Sequence, residues 1–219
     1  MYSFESKLAV LKTNSVYRVN DVFVKGGIRW REDRAEILSN DVYKNTILRK
    51  YLEKEAELVN YDLLRNIILE HGELLGYEKP MNNELVFHFR LGDLMIKDYN
   101  FKALKNKIKN FFKQIQIIEE NNIEKVSLVT ALHFGANDKN GKFFFSEQSY
   151  ANSIECIELF RNLLVQKTGM NMNLVSNKEV DKDLYYLTTA KHYIPTLRGF
   201  SELIKKLLNS DSIIYNINS

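Results

Sequence analysis

The sequence predicts an α/β protein: a Rossmann-like parallel sheet with helices on both faces over residues 84–219, behind a mainly helical N-terminal extension over residues 1–83. Three observations predict it. From residue 84 onward, short apolar runs alternate with longer segments of helical periodicity. The first eighty residues lack that alternation and are charge-rich. A chain of 219 residues that is 45% hydrophobic and 12% aromatic also has the material for one sizeable core.

Taken in order, residues 16–24 read as a short hairpin or two strands, and 41–57 and 61–75 as helices. The second of these helices carries Leu63, Leu64, Ile67, Ile68 and Leu75 near one face. The extension holds Trp30 and ends at Gly76-Tyr77-Glu78-Lys79-Pro80. Residues 84–89, Glu-Leu-Val-Phe-His-Phe, form a buried strand. Residues 101–119 read as one helix, with apolar residues at 101, 104, 108, 111, 115 and 118. There follow a strand at 125–131, a helix at 149–168, a strand at 171–176 and a short helix at 181–190. A short strand at 192–195, a helix at 199–209 and an apolar run at 212–216 complete the chain. Strands separated by helices imply βαβ units with right-handed crossovers. The sequence contains no internal repeat and no low-complexity segment.

Composition removes several function classes. The net charge of +3, from 31 basic and 28 acidic residues, falls short of a nucleic-acid footprint. A small anion needs only two or three placed cations. The single cysteine, Cys156, excludes an intramolecular disulfide and a cysteine zinc site, and reads as a buried thiol of the 149–168 helix. The four histidines stand at no metal-ligand spacing, so no metal site is expected; His71 and His192 read as structural. No apolar run reaches the length of a membrane span, and Met1–Lys7 lacks the pattern of a signal peptide. A cytoplasmic protein is expected.

Ligands of open parallel sheets bind at the carboxyl ends of the strands. Four loops qualify: 88–98, 131–148, 176–183 and 195–201. The first opens with His88-Phe89-Arg90-Leu91-Gly92-Asp93. Arginine presents a planar fork that grips phosphate oxygens and keeps its charge. Glycine allows a tight turn, and Asp93 holds the arginine or caps the next turn of chain. The alternative is a histidine at the core edge beside an Arg–Asp surface pair. The fourth loop is Pro195-Thr196-Leu197-Arg198-Gly199-Phe200-Ser201-Glu202. A helix starting at 199–201 offers unpaired N–H groups and a positive dipole end to an anion, with Arg198 adding charge. An ordinary helix start with a solvent-facing arginine is the other reading. Asp183 either compensates a helix start or accepts two N–H groups from a guanine edge. His133, before the polar stretch 135–141, belongs to a solvated turn, a mobile lid or an acceptor contact.

His-x-Arg-x-Gly-Asp after a hydrophobic strand resembles the first motif of the α1,2-/α1,6-/protein O-fucosyltransferase superfamily. The stretch 183–201 is similar to that superfamily's third motif through Asp183, Leu184, Leu187, Thr188, Ala190, Ile194, Thr196, Gly199, Phe200 and Ser201. The resemblance covers about 84–209, the donor-binding C-terminal half of a GT-B glycosyltransferase. It implies that Arg90 neutralises the β-phosphate of GDP-fucose and is the main electrophilic group of catalysis. It also implies that His88 and Asp183 lie against the nucleoside and guanine, and that Thr196, Gly199, Phe200 and Ser201 contact the pyrophosphate. Two departures stand out: Arg198 and Gly199 occupy a turn that is serine-rich in the family, and Thr130-Ala131-Leu132-His133-Phe134-Gly135 replaces its acidic second motif.

The function so implied is metal-independent transfer of a sugar from a GDP-sugar, GDP-fucose first, to a glycan acceptor, with no further cofactor. Residues 1–83 are too short and helical for a full acceptor domain. A non-catalytic nucleotide-sugar-binding or assembly module is therefore the alternative, and an unrelated small-molecule enzyme on a doubly wound sheet a third. Glu32, Asp33 and Glu36, near Trp30, are candidates for the acceptor's base by position alone.

Overall fold

A computed structural model of the chain describes residues 34–54, 60–130, 135–137, 143–176, 180–196 and 199–216. The expected hairpin at 16–24, Trp30, Glu32, Asp33, His133 and Arg198 lie outside them, as do the side chains of Glu36 and Asp93.

Three helices precede the sheet: α1 (Arg34–Ser39), α2 (Ile47–Lys54) and α3 (Tyr61–Leu74). The helix expected from residue 41 begins instead as a 3-10 turn, Asp41–Tyr43. α2 starts after Thr46, whose hydroxyl accepts from the Arg49 N–H at 3.2 Å. Asn60 caps α3 in the same way, accepting from Leu63 N–H at 3.0 Å.

The main sheet contains β1 (Glu84–His88), β2 (Lys125–Val129), β5 (Met172–Val175), β6 (His192–Ile194) and β7 (Ile213–Ile214). All pairings are parallel, in the order β5-β2-β1-β6-β7. α4 (Asp98–Phe111), followed by the short α5 (Gln116–Glu120), links β1 to β2. α6 (Glu147–Thr168) links β2 to β5, α7 (Val180–Thr188) links β5 to β6, and α8 (Gly199–Leu207) links β6 to β7.

This order determines the layers. The chain steps one way from β1 through β2 to β5, then crosses back to β6 and continues to β7. Crossovers of one hand put the two sets of helices on opposite faces. Accordingly Leu85, Phe87, Val126 and Leu128 pack with Leu104, Phe111, Cys156 and Phe160 of α4 and α6. Val86, Val129 and Tyr193 pack on the other face, with Leu64 and Ile68 of α3, Leu184 and Leu187 of α7, and Leu203 and Ile204 of α8. Alternate residues of each strand serve alternate cores, as the pleat requires. The helical extension thus shares the core of the α7/α8 face.

Two further expectations need correction. The single helix expected over 101–119 is two helices. At the break, Lys113, Gln114, Ile117 and Ile118 turn to hydrogen bonds three residues back. Phe111 and Phe112, the last residues before the break, both reach Phe160. The loop expected over 131–148 contains two short strands paired antiparallel, β3 (Gly135–Asn137) with β4 (Phe143–Phe145). Strand spacing was obscured there because each strand is only three residues long.

Cys156 is buried, and burial pushes its thiol up to about 12, so it is a packing residue. At the amino end of the sheet Glu84 is fully buried. Burial pushes its carboxyl upward, but hydrogen bonds from Ser127, Tyr186, Met81 N–H and Lys125 together hold it below the usual range. Among the described residues, no helix is long and apolar enough to cross a membrane.

Candidate functional site

In a sheet of this order, the loops leaving β1 and β6 depart toward opposite faces, and the switch point between the two strands is where open α/β sheets form a ligand crevice. Residues 88–92 and the described part of 195–201, from the two loops singled out in the sequence, border it.

His88 ends β1, and its even position turns its ring toward the α8 face, as Val86 does. There Nδ1 shares a hydrogen bond of 2.9 Å with Ser201 Oγ in the first turn of α8. The ring meets Phe200 edge-on, centroids 5.0 Å apart. The Thr196 hydroxyl, two residues past β6, donates to the His88 carbonyl. These contacts stitch the carboxyl ends of β1 and β6 to the N-terminus of α8. Gly199 is the first residue of that helix, which leaves its early N–H groups without intrahelical partners.

The interior of this junction is electrically neutral. Burial pushes the His88 imidazole down to about 3, and the nearby Arg90 charge adds to the effect. Tyr193 of β6 is fully buried, and burial pushes its phenol up, with Ser201 pulling the other way. Positive charge comes from half-buried Arg90, two residues past β1.

The loop carrying Arg90 is held by α6. Gly92 adopts φ +74°, a left-handed conformation that explains glycine at the fifth position of the motif. Its carbonyl accepts from Ser149 Oγ at 2.6 Å, and its N–H donates to Ser153 Oγ at 3.2 Å. Asn152 Nδ2 donates to the carbonyl of Met95 at 2.8 Å, at the end of a 3-10 turn, Gly92–Ile96. These three anchoring residues were missed in the sequence. Their signal is a small polar stripe at i, i+3 and i+4 on the core-facing side of a helix that otherwise buries Cys156, Ile157 and Phe160 there.

Of the expected site residues, then, Thr196, Phe200 and Ser201 all touch His88, the Arg90 charge acts on His88, and Gly199 precedes Phe200 in α8. Asp93 is in the 3-10 turn, one residue past Gly92. Asp183 stands apart on α7, half-buried in the first turn of the helix that follows β5. Its neighbour Asp181 does the capping here, but for a different helix: its carboxylate accepts from Ile47 N–H at 3.0 Å, at the start of α2. His192 is structural, bonded through Nδ1 to Tyr215 Oη at 2.7 Å. Compared with family models, with curated proteins and with solved structures, the chain finds no match in any of the three.

Proposed function

We propose that the β1/β6 crevice binds the diphosphate of a nucleotide sugar, and that the chain transfers the sugar from a GDP-sugar, GDP-fucose first, to a glycan acceptor. One observation carries the reading. Residues from two motifs more than a hundred positions apart meet at the switch point: His88 against Thr196, Phe200 and Ser201, with Arg90 beside them. A diphosphate there lies between the Arg90 fork and the first-turn N–H groups of α8. Both are donors fixed before the ligand arrives. Negative charge grows on the departing diphosphate as the glycosidic bond breaks, so such donors stabilise the transition state more than the ground state. Neutral His88 adds no charge and serves to position α8. Asp183 is the candidate reader of guanine.

Calorimetric titration of GDP, ADP and UDP tests the reading. GDP binds best, and Arg90→Ala weakens it by about 2–5 kcal/mol, the range for a desolvated charge contact. Arg90→Lys keeps the charge, loses the fork and falls between. Asp183→Asn narrows the preference for guanine by about 1–3 kcal/mol. Normal GDP binding by an Arg90→Ala protein that melts several degrees lower would make Arg90 a structural residue and end the proposal.

A non-catalytic nucleotide-sugar-binding module is the second reading. It is favoured by one observation: among the described residues before β1 there are only helices, which join the core of the sheet. GDP-fucose binding without release of GDP in the presence of glycan acceptors would select it.

A further inference from the structure

A cleft of about 260 Å³ opens between α2 and α3, lined by Lys50, Glu53, Lys54, Ile67, Glu70, His71 and Leu74. It shares no residue with the β1/β6 crevice. Its floor is His71, 2% exposed. Lys50 Nζ lies 2.7 Å from His71 Nδ1. An ammonium has only donors, so Nδ1 accepts, and the ring proton sits on Nε2. Nε2 faces Asp181 Oδ2 at 3.6 Å, an electrostatic contact longer than a hydrogen bond. The carboxylate of Asp181 thereby orients the imidazole, and the imidazole orients the ammonium. Asp181 is itself anchored by Ile47 N–H at 3.0 Å, so the relay is tied to the backbone. A lysine side chain normally loses much rotamer freedom on gripping a ligand; here part of that ordering is already done.

The surrounding charges narrow the ligand. Glu53 is engaged by Arg49 Nε at 3.0 Å, which leaves Lys50, Lys54 and Glu70 as the cleft's charged groups. Lys50 and Lys54 are balanced by Glu70 and by the Asp181 carboxylate behind His71, so the cleft suits a single negative charge on Lys50 better than a phosphate dianion. Ile67 and Leu74 supply the apolar wall.

We propose that the α2/α3 cleft is a second binding site, which takes a small monocarboxylate with a short apolar tail and holds its carboxylate on Lys50. The carboxylate accepts from an ammonium already held by His71, and the tail lies against Ile67 and Leu74.

The test titrates the full chain with sodium butyrate and follows the methyl resonances of Ile67 and Leu74 by NMR, with butyramide and inorganic phosphate as comparisons. Butyrate should shift both methyl groups saturably, and the uncharged amide and phosphate should do so only at much higher concentration. Lys50→Met should raise the butyrate Kd at least about tenfold. Leu74→Glu places a like charge at the mouth on a side chain that is 77% exposed, and should weaken butyrate several-fold without disturbing the fold. It keeps the test valid if Lys50→Met does not fold. Arg90→Ala should leave the titration unchanged. Equal response to butyrate and butyramide, tighter binding of phosphate, or an unchanged Kd in both cleft variants would overturn the proposal.

Discussion

Protonation of His88 is the most direct probe of the crevice. The ring is buried against Ser201 and Phe200, and burial with the nearby Arg90 charge takes it from an ordinary 6.5 to about 3. Because the folded value lies below the unfolded one, the unfolded chain takes up the proton first. The contribution of neutral His88 is therefore complete above about pH 6.5 and is lost as the pH falls from there toward about 3. Within that window the loss approaches about 1.4 kcal/mol per pH unit, which amounts to about 2 kcal/mol between about pH 7 and about pH 5. Other groups titrate over the same range, so the quantity to measure is a difference. His88→Gln retains a group able to hydrogen-bond Ser201 but cannot titrate. Urea denaturation of both proteins at the two pH values, at constant ionic strength, should show the variant losing about 2 kcal/mol less on acidification. In parallel, the His88 ring proton resonance should stay flat down to about pH 4.5. Identical pH dependence in the two proteins, or a His88 resonance that titrates near its ordinary value, would refute the argument. Either result would mean that water reaches the ring and that the β1–α8 junction is open.

Two further substitutions test the supports of the site and of the extension. Ser149→Ala removes the donor to the Gly92 carbonyl and should cost about 1–3 kcal/mol by chemical denaturation, and nucleotide affinity should fall as the Arg90 loop loosens. Unchanged stability and affinity together would show that α6 does not hold the loop. Gly72→Ala would set a methyl group 2.0 Å from the buried ring of Tyr185, where α3 meets α7. Overpacking outweighs the gain in helix propensity, for a net loss of about 1–2 kcal/mol and a melting temperature several degrees lower. A higher melting temperature would show that α3 is free to move off α7.

The inner strands β1 and β2 were legible because each is a short buried run set off by helical periodicity. Phe87, buried between Phe111 and Phe160, sits in the apolar stretch Leu85-Val86-Phe87. The helices of the crossovers were legible through their 3.6-residue repeat, but their ends were less so. The break after Phe111 falls where Phe111 and Phe112 pack on Phe160 of another helix, and no local propensity reports that packing. The β3/β4 pair was hidden because three-residue strands are too short for a period of two to register.

The site divides along the same line. Residue chemistry alone marked Arg90 as the cation and Gly92 as a turn glycine, because the guanidinium fork and freedom at positive φ are properties of the residue itself. Only the tertiary structure decided that His88 meets Ser201 across 113 residues, that Ser149 and Ser153 anchor the Gly92 turn, and that Asp181 caps a helix 134 residues away. Strand order makes those contacts. β1 lies beside β6 because the chain reverses direction after β5, a pairing of distant segments that neither residue's neighbours in sequence encode.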